Sequence, residues 1–522
     1  MRQVLLTLML LFAALDINAQ INDLPRATPE SVGLPSDRLR AFLDTLMRLP
    51  GTDIHSVIVM RRGKVIGEMY PQPFRARFGH TIYSASKTFT AAAVGIAIAE
   101  NRLRLDDRLA VFFPEQLPAE VSEWLASVRV RDLLTMTSGF PADWNMRSRY
   151  TEWVKTYLSR TLTSRPGVKF VYDSIDTYLI SAIIQRVTGQ SMMEYLRPRL
   201  FQPLGINVVA WEESPEGVTT GGWGLWLQAE SMAKFGQLLL NGGKWSVMAP
   251  DSTVTTTQIL PESWVRNMLT RHVDNPKGDN YGYQIWLCAE SEGATRIDGA
   301  MGQFVFIIPE KEMVVVMTQC IASGSNAGQR ERYALFRQLL PAITDRPTGA
   351  GRAYQRLLNF ERAAVLPLAH ELAKKAGLKP SAKSSAVKLP LSLTLPDNRL
   401  GWQSVDISEG EERKHLIMTV TTADGPQAIA LGYEEWAESV ITSRPPYSIG
   451  TTLNAFSNLP NQWQTGGSYT WTDDTQLRAT IHFTNWISSV SLIFDFSDPA
   501  APTLTLNENF STTPQTVQIR PL

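Results

Sequence analysis

Tyr83-Ser-Ala-Ser-Lys-Thr-Phe-Thr90 runs directly into AAAVGIAIAE, ending at Glu100. Ala, Val and Ile dominate this stretch, so it reads as a turn followed by a buried helix, with Asn101 as its stop. Ser84 and Lys87 stand three positions apart, a spacing that puts both on one face of a first helical turn. A serine hydroxyl is a poor nucleophile until a neighbouring base takes its proton. A lysine amine becomes such a base only when burial or nearby charge lowers its pKa. An apolar helix supplies that desolvation. Its N-terminal dipole favours both a neutral lysine and an anionic intermediate. S-x-x-K is a short pattern, and its flanks decide what it means.

At 522 residues the chain exceeds the usual size of one core, so two domains are expected. Fifty basic and fifty acidic residues give a formal net charge of zero, which argues against nucleic acid or an anionic membrane surface as partner. Residues 1–19 read as a signal peptide: Arg2, an apolar run over Val4–Leu15, then Ala19 before a cut at Gln20. Twelve apolar residues are too few to span a bilayer. With no cysteine near that cut, no lipid anchor is expected there, and the protein reads as exported, to a periplasm or to the medium. Cys288 and Cys320 either pair, as an oxidising compartment allows, or stay as separate buried thiols.

Residues 36–49 read as a helix capped by Ser36, with Leu39, Phe42, Leu43, Leu46 and Met47 on one stripe. Strands follow at 55–60 and 64–70 about an Arg62-Gly63 turn, and a helical block runs to about 270. Strands return at 281–287, 296–299, 303–309 and 313–319, before a helix over 331–341. An antiparallel sheet flanked by helices satisfies that order. Composition shifts near 345: residues 345–388 read as a helical connector over Tyr354–Lys375 and a Pro/Ser/Lys linker. From 389 to 522 helical patterns vanish, and 416–420, 428–433, 477–483 and 490–496 alternate apolar and polar residues. That is an all-β barrel or sandwich. The predicted organisation is therefore an α+β domain over 20–344, a connector, and a β-rich domain over 389–522.

Four segments now fall into one order: Ser84-Ala-Ser-Lys87, Leu133-Leu-Thr-Met-Thr-Ser-Gly139, Tyr172-Asp-Ser174, and GGWGL with QFVFIIPEKEMVVV further on. Over residues 30–340 the chain resembles the serine β-lactamase and penicillin-binding-protein superfamily. It is most similar there to β-lactamase-related esterases and amide hydrolases of the 6-aminohexanoate-dimer hydrolase type. Met136 stands where that family's LLSHTSG segment has histidine. The resemblance implies a β-lactamase-like fold with a helical subdomain. It also implies that Ser84 attacks a carbonyl, with Lys87 or Tyr172 as its base and Ser174 supporting the cluster. Oxyanion donors would be the backbone N–H groups of Ser84 and Ala300, the latter from aligning Ile297-Asp298-Gly299 with the family's Lys-Thr-Gly motif.

Ile297 removes the lysine of that motif and Asp298 adds a negative charge, which favours neutral esters or amides over carboxylate-bearing antibiotics. Ile297, Asp298, Gly299 and Trp223 are the candidate pocket residues. Trp223 and its neighbour Trp226 are otherwise core. Six scattered histidines without paired spacing predict no metal, and neither a Gly-rich phosphate loop nor a G-x-S-x-G elbow is present, so no cofactor is expected. The competing reading is a catalytically silent relative that binds peptide or glycan.

Overall fold

The computed structural model describes residues 24–248, 253–276, 278–344, 346–412, 414–449, 459 and 461–521; the predicted signal peptide lies outside them. In chain order the first eleven strands are β1 (Thr52–Arg61), β2 (Lys64–Met69), β3 (His80–Thr81), β4 (Val209–Trp211), β5 (Leu225–Leu227), β6 (Lys244–Met248), β7 (Val254–Gln258), β8 (Trp286–Leu287), β9 (Thr295–Gly299), β10 (Gln303–Ile308) and β11 (Met313–Ile321). Six of them make one antiparallel sheet in the order β2-β1-β11-β10-β9-β8. β3, β5 and β4 form a small second sheet beside it, and β6 pairs with β7.

The central strands are apolar on both faces because both faces are covered. Ile58, Val305, Val314 and Val316 face the helices Ser86–Ala99 and Ala229–Leu240. Val59, Phe306, Val315 and Met317 face Ser36–Arg48 and the C-terminal helical turns at Ala334–Leu339. Gly236 lets its helix lie on the sheet: a Cβ there would sit 2.7 Å from a Val305 methyl. Ser36 is the first helical residue rather than the cap. The buried Glu30 carboxylate accepts its N–H at 2.9 Å and does the capping. The strand expected over 281–287 shrinks to Trp286–Leu287, since Gln284 turns left-handed (φ 59°) to send its amide inward. The two thiols are free and buried; β10 and β9 separate their strands.

Beyond the helices Arg352–Ala363 and Ala369–Lys375 the second sheet begins. Its strands alternate buried and half-buried residues, as in Ser404–Glu409 and His415–Thr422, and the inward set forms one core. Gln515–Gln518 lies on one edge and Arg520–Pro521 on the other, so the sheet curls into a nearly closed barrel. The longest strand here, Trp463–Thr472, has no alternating signal in sequence because Gly466-Gly467 interrupts its pattern. Close approach demands those glycines: a Cβ on Gly467 would stand 2.3 Å from Ala430 O, and one on Gly466 2.4 Å from Pro73 of the first domain. The segment expected as a free linker is laid on the barrel, with Pro380–Ser381 paired to Trp471–Thr472.

The barrel packs directly on the first domain. Trp226 Nε1 donates to Asn485 O at 2.8 Å, and Arg75 pairs with Glu438. Histidines that look scattered in sequence meet at this seam. His55 Nδ1 lies 2.9 Å from His80 Nε2, and His80 Nδ1 donates to Thr81 O at 2.7 Å. His55 stacks on Phe74 at 3.8 Å, and His482 of the barrel meets Phe74 edge-on at 5.7 Å. Burial holds all three imidazoles below their usual range, His80 at about 4. Their neutral forms are native and their charged forms are not. The unfolded chain therefore takes up more protons below about pH 6.5, and stability falls as pH drops from there toward 4. We expect His80 alone to account for a loss on the order of 3 kcal/mol. Chemical denaturation at pH 7 and pH 4.5 should show that loss, and His80→Gln should shrink it.

Candidate active site

Ser84 sits in a one-turn 3-10 segment, Tyr83–Ala85, and the α-helix starts only at Ser86. The nucleophile candidate therefore precedes the helix instead of sharing its first turn. Tyr83 holds a left-handed backbone (φ 48°), a strained conformation for an aromatic residue, of order 1–3 kcal/mol. Neighbours enforce it: Ile82 N donates to Leu225 O at 2.9 Å, and Ser86 Oγ ties Tyr83 O (2.5 Å) to Leu225 N (3.1 Å).

The Lys87 side chain is 1% exposed and reaches back under that turn. Its Nζ lies 3.0 Å from Ser84 Oγ, 2.8 Å from Ser174 Oγ and 2.6 Å from Gly222 O. Burial pulls its pKa down to about 7, while the more distant Asp173 and Asp298 carboxylates pull the other way. A neutral amine has two N–H groups and one lone pair. Gly222 O can only accept, so it takes one N–H. Of the two hydroxyls, one then accepts the second N–H and the other donates to the lone pair. That accepting lone pair is what a base for Ser84 requires. Gly222 is held against the helix Ser174–Thr188, where a Cβ would meet Ser174 O at 2.6 Å.

Tyr172 enters from the loop before that helix. Its ring stacks on Trp286 with centroids 5.5 Å apart, and Lys87 Nζ lies 4.9 Å from its centre. Burial drives its phenol well above the ordinary pKa, opposed by the neighbouring Ser84 hydroxyl and by Arg296. The 133–139 segment serves as a cradle for this loop: Met136 O accepts from Val171 N at 2.8 Å, and Met136 Sδ from Asp173 N at 3.5 Å. Asp173 caps the helix through Ile175 N (2.9 Å), and Tyr157 Oη donates to it at 2.6 Å.

The end of β9 lies against the Ser84 turn. Gly299 is so close that a Cβ would stand 2.1 Å from Ile82 O, and the next residue, Ala300, is exposed. Ile297 points into the helical core, 1% exposed. Trp223 is equally buried, its Nε1 donating to Glu212 Oε2 at 3.1 Å. Neither of these two pocket candidates presents a face to solvent. Asp298 does so in part, but not as a lone charge: Arg296, on the same face two residues back, binds it at 2.8 Å and Asp279 at 2.6 Å.

A family model described as Beta-lactamase matches residues 39–338. The chain belongs to the beta-lactamase family. The 6-aminohexanoate-dimer hydrolase of Paenarthrobacter ureafaciens is 25% identical over 321 residues, covering 56% of this chain and 79% of that protein. Protein flp of Staphylococcus aureus (strain MW2) is 26% identical over 142 residues, 26% of this chain and 28% of its own length. Among solved structures, a Bacillus anthracis protein described as a 6-aminohexanoate-dimer hydrolase superposes with TM-score 0.50 at 22% identity, covering 61% of this chain and 86% of that one. That likeness concerns the fold.

Several residues of this beta-lactamase-family site carried no signal in sequence. Gln284 is one. Its carbonyl accepts from Thr88 Oγ1 at 2.7 Å, and its side-chain amide binds Leu133 O, Leu134 O and Thr177 Oγ1. It thereby joins the helix Ser86–Ala99, the Met136 cradle and the helix Ser174–Thr188. Gly222 is another, since it contributes only a backbone carbonyl; the GGWGL match marks its neighbourhood but not its role.

Ser174→Ala removes an oxygen partner of Lys87 and should lower kcat/KM by about 10–100-fold, the worth of one hydrogen bond to a charged group. Gly299→Ala must push β9 off the Ser84 turn. We expect a similar or larger loss of kcat, with a stability cost of about 1–3 kcal/mol by denaturant titration.

Proposed function

We propose that this protein is an exported serine hydrolase that cleaves neutral esters or amides through an acyl-enzyme on Ser84. The observation that carries the reading is the Lys87 amine, buried, brought to a pKa of about 7 and within 3.0 Å of Ser84 Oγ. In the first half-reaction Lys87 Nζ accepts the Ser84 proton as Oγ bonds to the substrate carbonyl carbon. Negative charge develops on the carbonyl oxygen, and the N–H groups of Ser84 and Ala300 are the proposed donors to it. Tyr172, a phenol that stays protonated at neutral pH, donates to the leaving group as its bond breaks. Water then reverses these transfers and frees Ser84. This assigns the base to Lys87 and the acid to Tyr172.

Substrate preference follows from β9. The Arg296 guanidinium is committed to Asp298 and Asp279, and Ile297 puts a buried aliphatic side chain where the motif has lysine. A substrate carboxylate gains nothing there, so neutral acyl groups are favoured. The relative from Paenarthrobacter, a 6-aminohexanoate-dimer hydrolase, supports hydrolysis as the reaction class. Export is inferred from residues 1–19; among the described residues no helix is long and apolar enough to cross a membrane.

A fluorophosphonate probe should label the wild type and not Ser84→Ala. No labelling of either would favour the silent binder. With a p-nitrophenyl ester, kcat/KM should rise about tenfold per pH unit below 7 and level off above about 8, as Lys87 loses its proton. A flat profile between pH 5.5 and 8.5 would remove Lys87 from the role of base.

A further inference from the structure

The barrel sends one segment back to the catalytic domain. Residues 444–449 follow the strand Ala437–Ile441 and end against three separate parts of the first domain. Ser448 Oγ and Tyr83 Oη are 2.8 Å apart, and Tyr83 is the residue immediately before Ser84. Tyr447 Oη donates to Glu212 Oε1 at 2.7 Å, while its ring lies 5.5 Å from Tyr83 and 5.0 Å from Trp486 of the barrel. Ile449 O accepts from Arg147 Nη2 at 2.7 Å, and its side chain packs against both domain cores. From the barrel side, Trp486 Nε1 donates to Pro446 O at 3.3 Å.

Glu212 is what makes this a built contact. Its carboxylate is 1% exposed, and both oxygens are used: Oε1 by Tyr447 and Oε2 by Trp223. A buried carboxylate is costly unless its lone pairs are filled. One of the two donors that fill them is a phenol from the other domain. Removing Tyr447 strands Glu212, so the segment has one strongly preferred position. The Arg147 guanidinium, itself stacked 3.5 Å over Trp144, clamps the far end.

We propose that residues 447–449 of the barrel form a wall of the substrate cleft, latched by Tyr447 to Glu212, and that this wall sets how bulky a group can flank the scissile carbonyl. The inference rests on the hydrolase reading above and gives the second domain a part in the active site. Segments anchored beside the nucleophile and against the helical subdomain bound the space a substrate must enter. The half-buried side chains of Tyr447, Ser448 and Ile449 are the ones that limit it. The predicted specificity is for a compact group on the walled side.

The test uses full-length protein and two ester series: p-nitrophenyl esters of acyl chains of two, four and eight carbons and of benzoate, and acetate esters that vary the alcohol. Variants are Tyr447→Phe, which cuts the latch and keeps the ring, Tyr447→Ala, and Ile449→Ala. In the wild type, kcat/KM should drop at least tenfold from the smallest to the largest group in one series. Tyr447→Ala and Ile449→Ala should raise the large-to-small ratio in that same series by about tenfold or more, mainly through KM, and Tyr447→Phe by less. A ratio that stays constant while all rates fall together would make the segment merely structural and overturn the wall. Should Tyr447→Ala not fold, Ile449→Ala and Tyr447→Phe carry the same comparison. Fluorophosphonate labelling of Ser84 separates the two claims: a labelled enzyme with an unmoved ratio sinks the wall alone, and an unlabelled wild type sinks the hydrolase reading beneath it.

Discussion

One buried amine organises this molecule. Lys87 Nζ has given up bulk water and found three oxygens in exchange, from Ser84, Ser174 and the Gly222 carbonyl. An ammonium so placed is only weakly favoured over an amine, and the pKa of about 7 expresses that balance. The arrangement needs three segments far apart in the chain to close on a single nitrogen. Most of the first domain is explained by that need. The apolar sheet and the helices on it bury the lysine, the Met136 cradle and Gln284 hold the Tyr172 loop, and Gly222 and Gly299 permit backbone approaches that a side chain would forbid.

Electrostatics across the site follow one rule: isolated charge is avoided. Asp298 would oppose an anionic transition state if it stood alone, yet Arg296 neutralises it, and Arg296 is in turn shared with Asp279. The seam between the domains obeys the same rule with uncharged imidazoles. His55, His80 and His482 pack there because burial keeps them neutral. Glu212, with Tyr447 and Trp223 on its two oxygens, is the seam's polar counterpart. The barrel is therefore fastened to the first domain beside the candidate site.

Local sequence carried a good deal of this. The Ser84–Lys87 spacing, the helical stripe from Leu39 to Leu46, the hairpin about Gly63 and the alternation in the barrel strands are periodic or adjacent signals, and each corresponds to an element of the fold. Where local pattern and tertiary demand disagreed, tertiary demand won. Gly466-Gly467 hid a ten-residue strand because the space beside it is already filled by another strand and by the other domain. Gln284 broke an expected strand because its amide is needed inside. Ile297 and Trp223, read as pocket residues from their place in motifs, are turned into the core by the strand and loop that carry them.

By itself, then, the chain's order of residues determined that a serine and a lysine three positions apart stand where a turn runs into an apolar helix, and that an α+β domain precedes a β domain. These depend on neighbours within a few positions, where spacing and polarity are enough. Tertiary structure alone decided the lysine's other two partners, the meeting of three histidines at the domain seam, and the return of Tyr447 to Glu212. Each of those is a contact across dozens to hundreds of residues. Such contacts are chosen by which surfaces must be buried together, and no local period in the sequence encodes that choice.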